Sequence, residues 1–290
     1  FGLLGVGIYL TILLRFPQFT RVFPAVKRLI AGIKENKPVE EGRMTPFQSL
    51  ATAVAAQVGT GNIVGVATAI ASGGPGAAFW MILSAFFGMS TIFAEAVLAQ
   101  IYRTETEQGE LAGGPAYYIQ KGLGSRGLSV LFAILATIGM GIVGTMVQSN
   151  AIVGSLTESF GFPKVWAIIA LLAVIGVILT GGMSRIAGFS EKVVPVMASA
   201  YIIGSLVIVI MNLQNLIPVL QIIIVSAFSP QAVGGGVLGI TVQETMRFGI
   251  ARGLFSNEAG LGSTPHSHAV AHTDHPAEQG FIAMIGVFIS

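Results

Sequence analysis

PFQSLATAVAAQVGTGNIVGVATAIAS, residues Pro46 to Ser72, is largely apolar on both sides of an interruption, Gln57-Val58-Gly59-Thr60-Gly61-Asn62, at its centre. A bilayer-spanning helix needs roughly 20 predominantly apolar residues, and this stretch is long enough. Two glycines one residue apart weaken a helix by roughly 2 kcal/mol relative to alanine, and Thr60 and Asn62 can hydrogen-bond local backbone instead. The expected result is an unwound turn at mid-membrane, with carbonyls able to ligate a cation and N–H groups able to hold a carboxylate. The competing reading is a close-packing face built on Gly59 and Gly65.

The rest of the chain fits a membrane setting. Of 290 residues, 53% are hydrophobic and 10% charged, with a mean hydropathy of +0.80, whereas a soluble domain is roughly one quarter charged. Backbone in lipid must satisfy its own hydrogen bonds, so the apolar runs are read as helices. The 38 glycines suit close helix packing. There is no cysteine, which excludes disulfides and thiolate metal sites. A net charge of +2, with the basic residues in loops, does not suggest nucleic acid.

Eight apolar segments are expected: Phe1 to Leu14, Pro46 to Ser72, Gly76 to Tyr102, Leu128 to Leu156, Val165 to Leu179, Val193 to Leu213, one from Gly235, and one from Gln279. Asn215 to Phe228 is short for a span and suits an interfacial or re-entrant helix. The ends at Phe1 and Ser290 lie inside apolar runs, so a fragment is expected. Arg15, Arg21, Lys27, Arg28, Lys34, Lys37 and Arg43 mark the first connection as cytoplasmic; Arg103, Lys121 and Arg126, then Arg185 and Lys192, mark two more. The N-terminus then lies outside.

The seventh segment is interrupted by Phe255-Ser256-Asn257-Glu258-Ala259-Gly260-Leu261-Gly262-Ser263. Irregular backbone at membrane depth requires surrounding protein or a watery cavity. Either this is a second broken helix, or the helix ends at Arg252 and a cytoplasmic loop follows. Two interruptions five helices apart point to an inverted-repeat transporter. Glu258, a carboxylate inside a break, is a functional candidate or a structural cap. Gln148, Ser149 and Asn150 could bind substrate or bond between helices. Glu95 is read as a packing cap or a snorkelling group, outside the ion path. Glu244 and Arg247, three apart, could pair. His266, His268, His272 and His275 lack a compact ligand spacing and are read as a solvated cytoplasmic turn.

Together, Thr45 to Gly65, Gly113-Gly-Pro-Ala-Tyr-Tyr-Ile119, Gly253 to Ser263 and the His275-Pro276 turn resemble the alanine or glycine:cation symporter family. The resemblance implies an all-α integral membrane protein of the LeuT-type inverted-repeat class, here a fragment with about eight transmembrane helices, two of them broken. It divides the chain into an extra helix and cytoplasmic loop (1–45), a first five-helix repeat (46–213) and the start of a second (235–290). It implies sodium, or in some members proton, symport of a small neutral amino acid, alanine or glycine, across the prokaryotic cell membrane. By that resemblance Thr60, Gly61, Gln148, Asn257, Ala259 and Gly260 contact the substrate, and Ala55, Val58 and Asn62 the cation. No cofactor beyond the transported ion, no enzyme activity and no obligate protein partner are implied. A cation channel or another permease with broken helices is the alternative class.

Overall fold

A computed structural model describes residues 1–35, 44–59, 61–107, 111–229 and 241–290. The expected start of the seventh segment at Gly235, like Thr60, lies outside them. The chain opens with α1 (Gly2–Leu13), α2 (Pro17–Thr20) and α3 (Val22–Glu35). Residues 15–45, read from sequence as a loop, thus contain a helix of their own. Val22, Ala25, Val26 and Leu29 recur at helical spacing and pack into two apolar clusters, an amphipathic signal hidden by the flanking basic residues.

Next come α4 (Pro46–Gln57), a π-helical turn at Gly61–Gly65, α5 (Val66–Gly73) and α6 (Ala77–Ile101). Thr45 and Gln48 close a capping box that starts α4. The α4 and α5 directions differ by 47° across the break, and Val58 is extended rather than helical. A hairpin, β1 (Thr104–Glu105) with β2 (Leu111–Ala112), and α7 (Pro115–Leu123) occupy what the sequence suggested was a plain connection. Gly114, at φ +121°, enters α7 against the His266 ring; a Cβ there would stand 2.8 Å from that ring.

From Arg126 to Phe160 the chain is one long apolar helix, α8 (Arg126–Ala136) and α9 (Thr145–Phe160) joined through π-helical residues Thr137–Gly144. Then follow α10 (Lys164–Leu179), α11 (Gly182–Met211), α12 (Leu213–Phe228), α13 (Val242–Asn257), α14 (Pro265–Ala269) and α15 (Pro276–Ile289). α11 begins well before the expected Val193 and carries Pro195 inside it. In α13, Glu244 serves the Thr241 capping box, accepting from the Thr241 N–H at 3.0 Å and from its hydroxyl at 3.2 Å.

Among the described residues, three helices are long and apolar enough to cross a membrane, Ala77–Ile101, Arg126–Phe160 and Arg185–Met211, and the bent α4–α5 pair makes a fourth. α6 is the axis of the bundle. Its Ala77, Met81, Ser84 and Gly88 face Gly249, Gly253, Asn257 and Ala259 at contact distances only small residues permit. α15 lies on another face of α6, with Gly280 against Phe93 and Val97. The apolar length of the Arg126–Phe160 and Arg185–Met211 helices is almost wholly uncovered by the other described residues.

Candidate functional site

Both interruptions are present, and they face each other. α4 stops at Gln57 because the Gly59 N–H, which would continue the helix onto the Ala55 carbonyl, is donated to Asn62 Oδ1 at 2.8 Å. The Asn62 N–H bonds the Gly59 carbonyl at 3.1 Å, closing a small ring that turns the chain. Asn62 Nδ2 donates to the Ser290 carbonyl at 2.8 Å. Asn62 is thus the residue that shapes the turn.

α13 runs through Arg252 to Asn257, so the loop reading in which the helix ends at Arg252 is not what forms. It stops there because Glu258 (φ 55°), Gly260 (φ 87°) and Gly262 (φ 79°) are left-handed. The N–H of Ala259 is donated to Asn257 Oδ1 at 3.0 Å and that of Gly260 to a Glu95 carboxylate oxygen at 3.0 Å. Glu258 is held by the Ser263 hydroxyl.

Gln57 Nε2 donates to the Asn257 carbonyl at 3.1 Å, joining the last residue of α4 to the last of α13. A Cβ on Gly61 would stand 3.6 Å from Ser256 Cα and 3.8 Å from Phe255 Cδ1. Gln148, half-buried on α9, brings its Oε1 to 3.2 Å from where a Gly59 Cβ would be. Of the residues singled out from sequence, Gly61 packs against Ser256 beside Asn257 and Gln148 approaches Gly59, whereas Val58 packs in an apolar cluster with Ala25, Leu50 and Val194, and Ala259 and Gly260 meet Gly88 and Glu95 of α6. Ala55 lies one turn before the α4 break with its side chain exposed. Ser149 is half-buried and Asn150 exposed. Asn257 is fully buried, and its Nδ2 and Gln57 Oε1 have no hydrogen-bond partner among the described residues. Buried polar atoms beside two broken helices are groups that a polar ligand could satisfy.

Two residues have partners that the sequence does not name. Glu95 does not snorkel: it is buried and accepts the Gly260 N–H, so of its two readings the cap is the one that forms. Gln57, next to the helix-breaking Gly-x-Gly, is a polar group that needs a buried partner, and the motif alone does not say which. The histidines also separate. His266, His272 and His275 are exposed, but His268 is fully buried, so the solvated-turn reading fails for it. Its Nδ1 lies 2.6 Å from Gln279 Nε2 and 3.2 Å from Ser49 Oγ. Gln100 Nε2 donates to the His268 and Ala271 carbonyls, fastening α14 to α6.

The family model described as "Sodium:alanine symporter family" matches residues 1–290. The chain is 45% identical over 287 residues to an uncharacterized transporter, YflA, of Bacillus subtilis, covering 99% of this chain and 60% of that protein. It is 44% identical to the amino-acid carrier protein AlsT of the same organism, covering 99% of this chain and 59% of the relative. It is 43% identical to the sodium/alanine symporter AgcS of Methanococcus maripaludis, covering 99% and 63%. The chain thus spans about three fifths of the length of these relatives. Matched along its whole length by one family, and carrying both interruptions in facing helices, the chain belongs to the sodium:alanine symporter family.

Proposed function

We propose that the protein to which this chain belongs is a secondary active symporter, coupling sodium or proton entry to uptake of a small neutral amino acid, alanine or glycine, in the cell membrane. The observation that carries this reading is the apposition of the two breaks, with Gln57 bonded to Asn257 and Gly61 packed against Ser256. Discontinuous helices facing each other at membrane depth supply N–H and carbonyl groups to a zwitterion and its ion without any covalent chemistry. The architecture is a LeuT-type inverted repeat, with residues 46–213 as the first repeat and 235–290 as the start of the second.

In this reading Thr60 and Gly61 hold the substrate carboxylate, and Gln148 and Asn257 supply side-chain contacts. Ala259 and Gly260 form the facing wall. Carbonyls of Ala55 and Val58 ligate one cation, and Asn62 contributes near the substrate. The diversion of the Gly59 N–H to Asn62 supports this, since it leaves the Ala55 carbonyl without its usual helical donor. Small residues across both breaks favour a small, neutral side chain. Coupling arises because ion and amino acid each bind one access state better than the other. The test is uptake of radiolabelled alanine and glycine by the complete protein in liposomes. Accumulation driven by an inward sodium or proton gradient is expected; equilibration alone under both gradients overturns the reading.

A further inference from the structure

The second break contains an anion nest that the protein fills itself. Gly260 and Gly262 are both left-handed, and successive N–H groups in such backbone converge into a concavity that binds anions. The Gly260 N–H donates to Glu95 at 3.0 Å, and Gly262, two residues on, has the same left-handed backbone. Glu95 comes from a different element, α6, is buried, and reaches the break one turn beyond Thr91, whose methyl also packs at Gly260. A second carboxylate, Glu258, lies in the same break and accepts from the Ser263 hydroxyl. Among the described residues, the hydrogen bond that Glu95 accepts comes from backbone, the Gly260 N–H.

We propose that Glu95 is a positioning residue, a buried carboxyl group that fills the nest of the second break so that this break keeps its shape and offers no site to the substrate's carboxylate. The inference rests on the symport reading above. It follows that the zwitterion enters one way round, carboxylate toward the Gly61 turn, because the matching donors across the cavity are already taken. A buried side chain serving only as packing would need no carboxylate, and a snorkelling one would not bond backbone at the break.

The test uses the complete protein, as wild type, Glu95→Ala and Glu95→Gln. In Glu95→Ala the nest is vacated and open to a small carboxylate. Sodium-driven alanine uptake should fall by about tenfold or more, as expected for loss of a buried acceptor. Formate should restore much of it, while benzoate, too large for the space left by a glutamate side chain, should not. Formate should also raise the melting temperature of purified Glu95→Ala and leave that of the wild type unchanged. This arm needs no transport, so it stands even if the wild type moves no alanine, an outcome that would sink the symport reading instead. Glu95→Gln keeps the volume but sets an amide NH2 against one nest N–H, so the KM for alanine should rise. Wild-type uptake in Glu95→Ala, a Glu95→Ala melting temperature indifferent to formate, or a wild-type KM in Glu95→Gln each overturns the proposal. If Glu95→Ala does not fold, the KM of Glu95→Gln decides.

Discussion

Gln57 and Asn257, 200 residues apart in the chain, are the last helical residues before the two breaks, and the Gln57 side chain donates to the Asn257 carbonyl at 3.1 Å. One buried bond therefore ties the ends of α4 and α13 together, so neither break can open without disturbing the other. Gln57 is almost wholly inaccessible, which makes water a poor substitute partner. Gln57→Ala should destabilise the protein by about 1–3 kcal/mol, the cost of a buried acceptor left unmade. Melting temperature and maximal uptake should both fall, and a variant normal in both would show the bond to be incidental.

Gly61 provides a graded steric test. A Cβ there meets Ser256 and Phe255 at 3.6–3.8 Å, ordinary contact, so Gly61→Ala should keep most of its uptake. Gly61→Leu places three further carbons into the space between the breaks and should abolish sodium-dependent alanine uptake while the protein still reaches the membrane. Equal uptake by Gly61→Leu and wild type would remove this turn from the substrate path.

Both interruptions could be read in the sequence because they are local: Gly59, Gly61 and Asn62 oppose a helix by propensity and side-chain competition alone, and Gly260 and Gly262 do the same. What the residues could not reveal was who answers them from elsewhere in the chain. Glu95 reads in sequence as either a packing cap or a snorkelling group, because the Gly260 N–H from which it accepts is 165 residues away. His268 was grouped with three exposed neighbours by spacing, although α14 turns that one ring inward onto Ser49 and Gln279. The helix α3 was missed for a different reason, its basic residues outweighing the Val22, Ala25, Val26, Leu29 stripe in a reading tuned to long apolar spans.

Asn62 should affect the ion more than the amino acid. Its Oδ1 takes the Gly59 N–H and so keeps the Ala55 carbonyl clear of its helical donor. Asn62→Ala removes that acceptor and lets the Gly59 N–H return to the helix. The sodium concentration for half-maximal uptake should rise several-fold, in keeping with about 0.5–1.5 kcal/mol for one hydrogen bond. Asn62→Asp retains the acceptor and should keep the turn. An unaltered sodium dependence in Asn62→Ala would take this residue off the ion path.

His268 joins three elements that the two breaks depend on: α14 carries it, Ser49 belongs to α4, and Gln279 opens α15. The side-chain amide of Gln279 stands 2.6 Å from Nδ1 of the buried ring. His268→Ala removes that contact and a fully buried ring at once, leaving the Gln279 amide with Ser49 Oγ at 2.9 Å as its partner in a site that water does not reach. A loss of about 2–5 kcal/mol is expected from the combined cavity and unmade bond. His268→Gln, which can present a carbonyl to the same amide, should recover part of it. His266→Ala, at an exposed position, should cost far less. Melting temperatures of the three variants make the comparison. Equal shifts for His266→Ala and His268→Ala would mean that the buried contact with Ser49 and Gln279 does not hold α14 in place, and that the second break is anchored through Gln100 and Arg103 on α6 and its C-terminal cap instead.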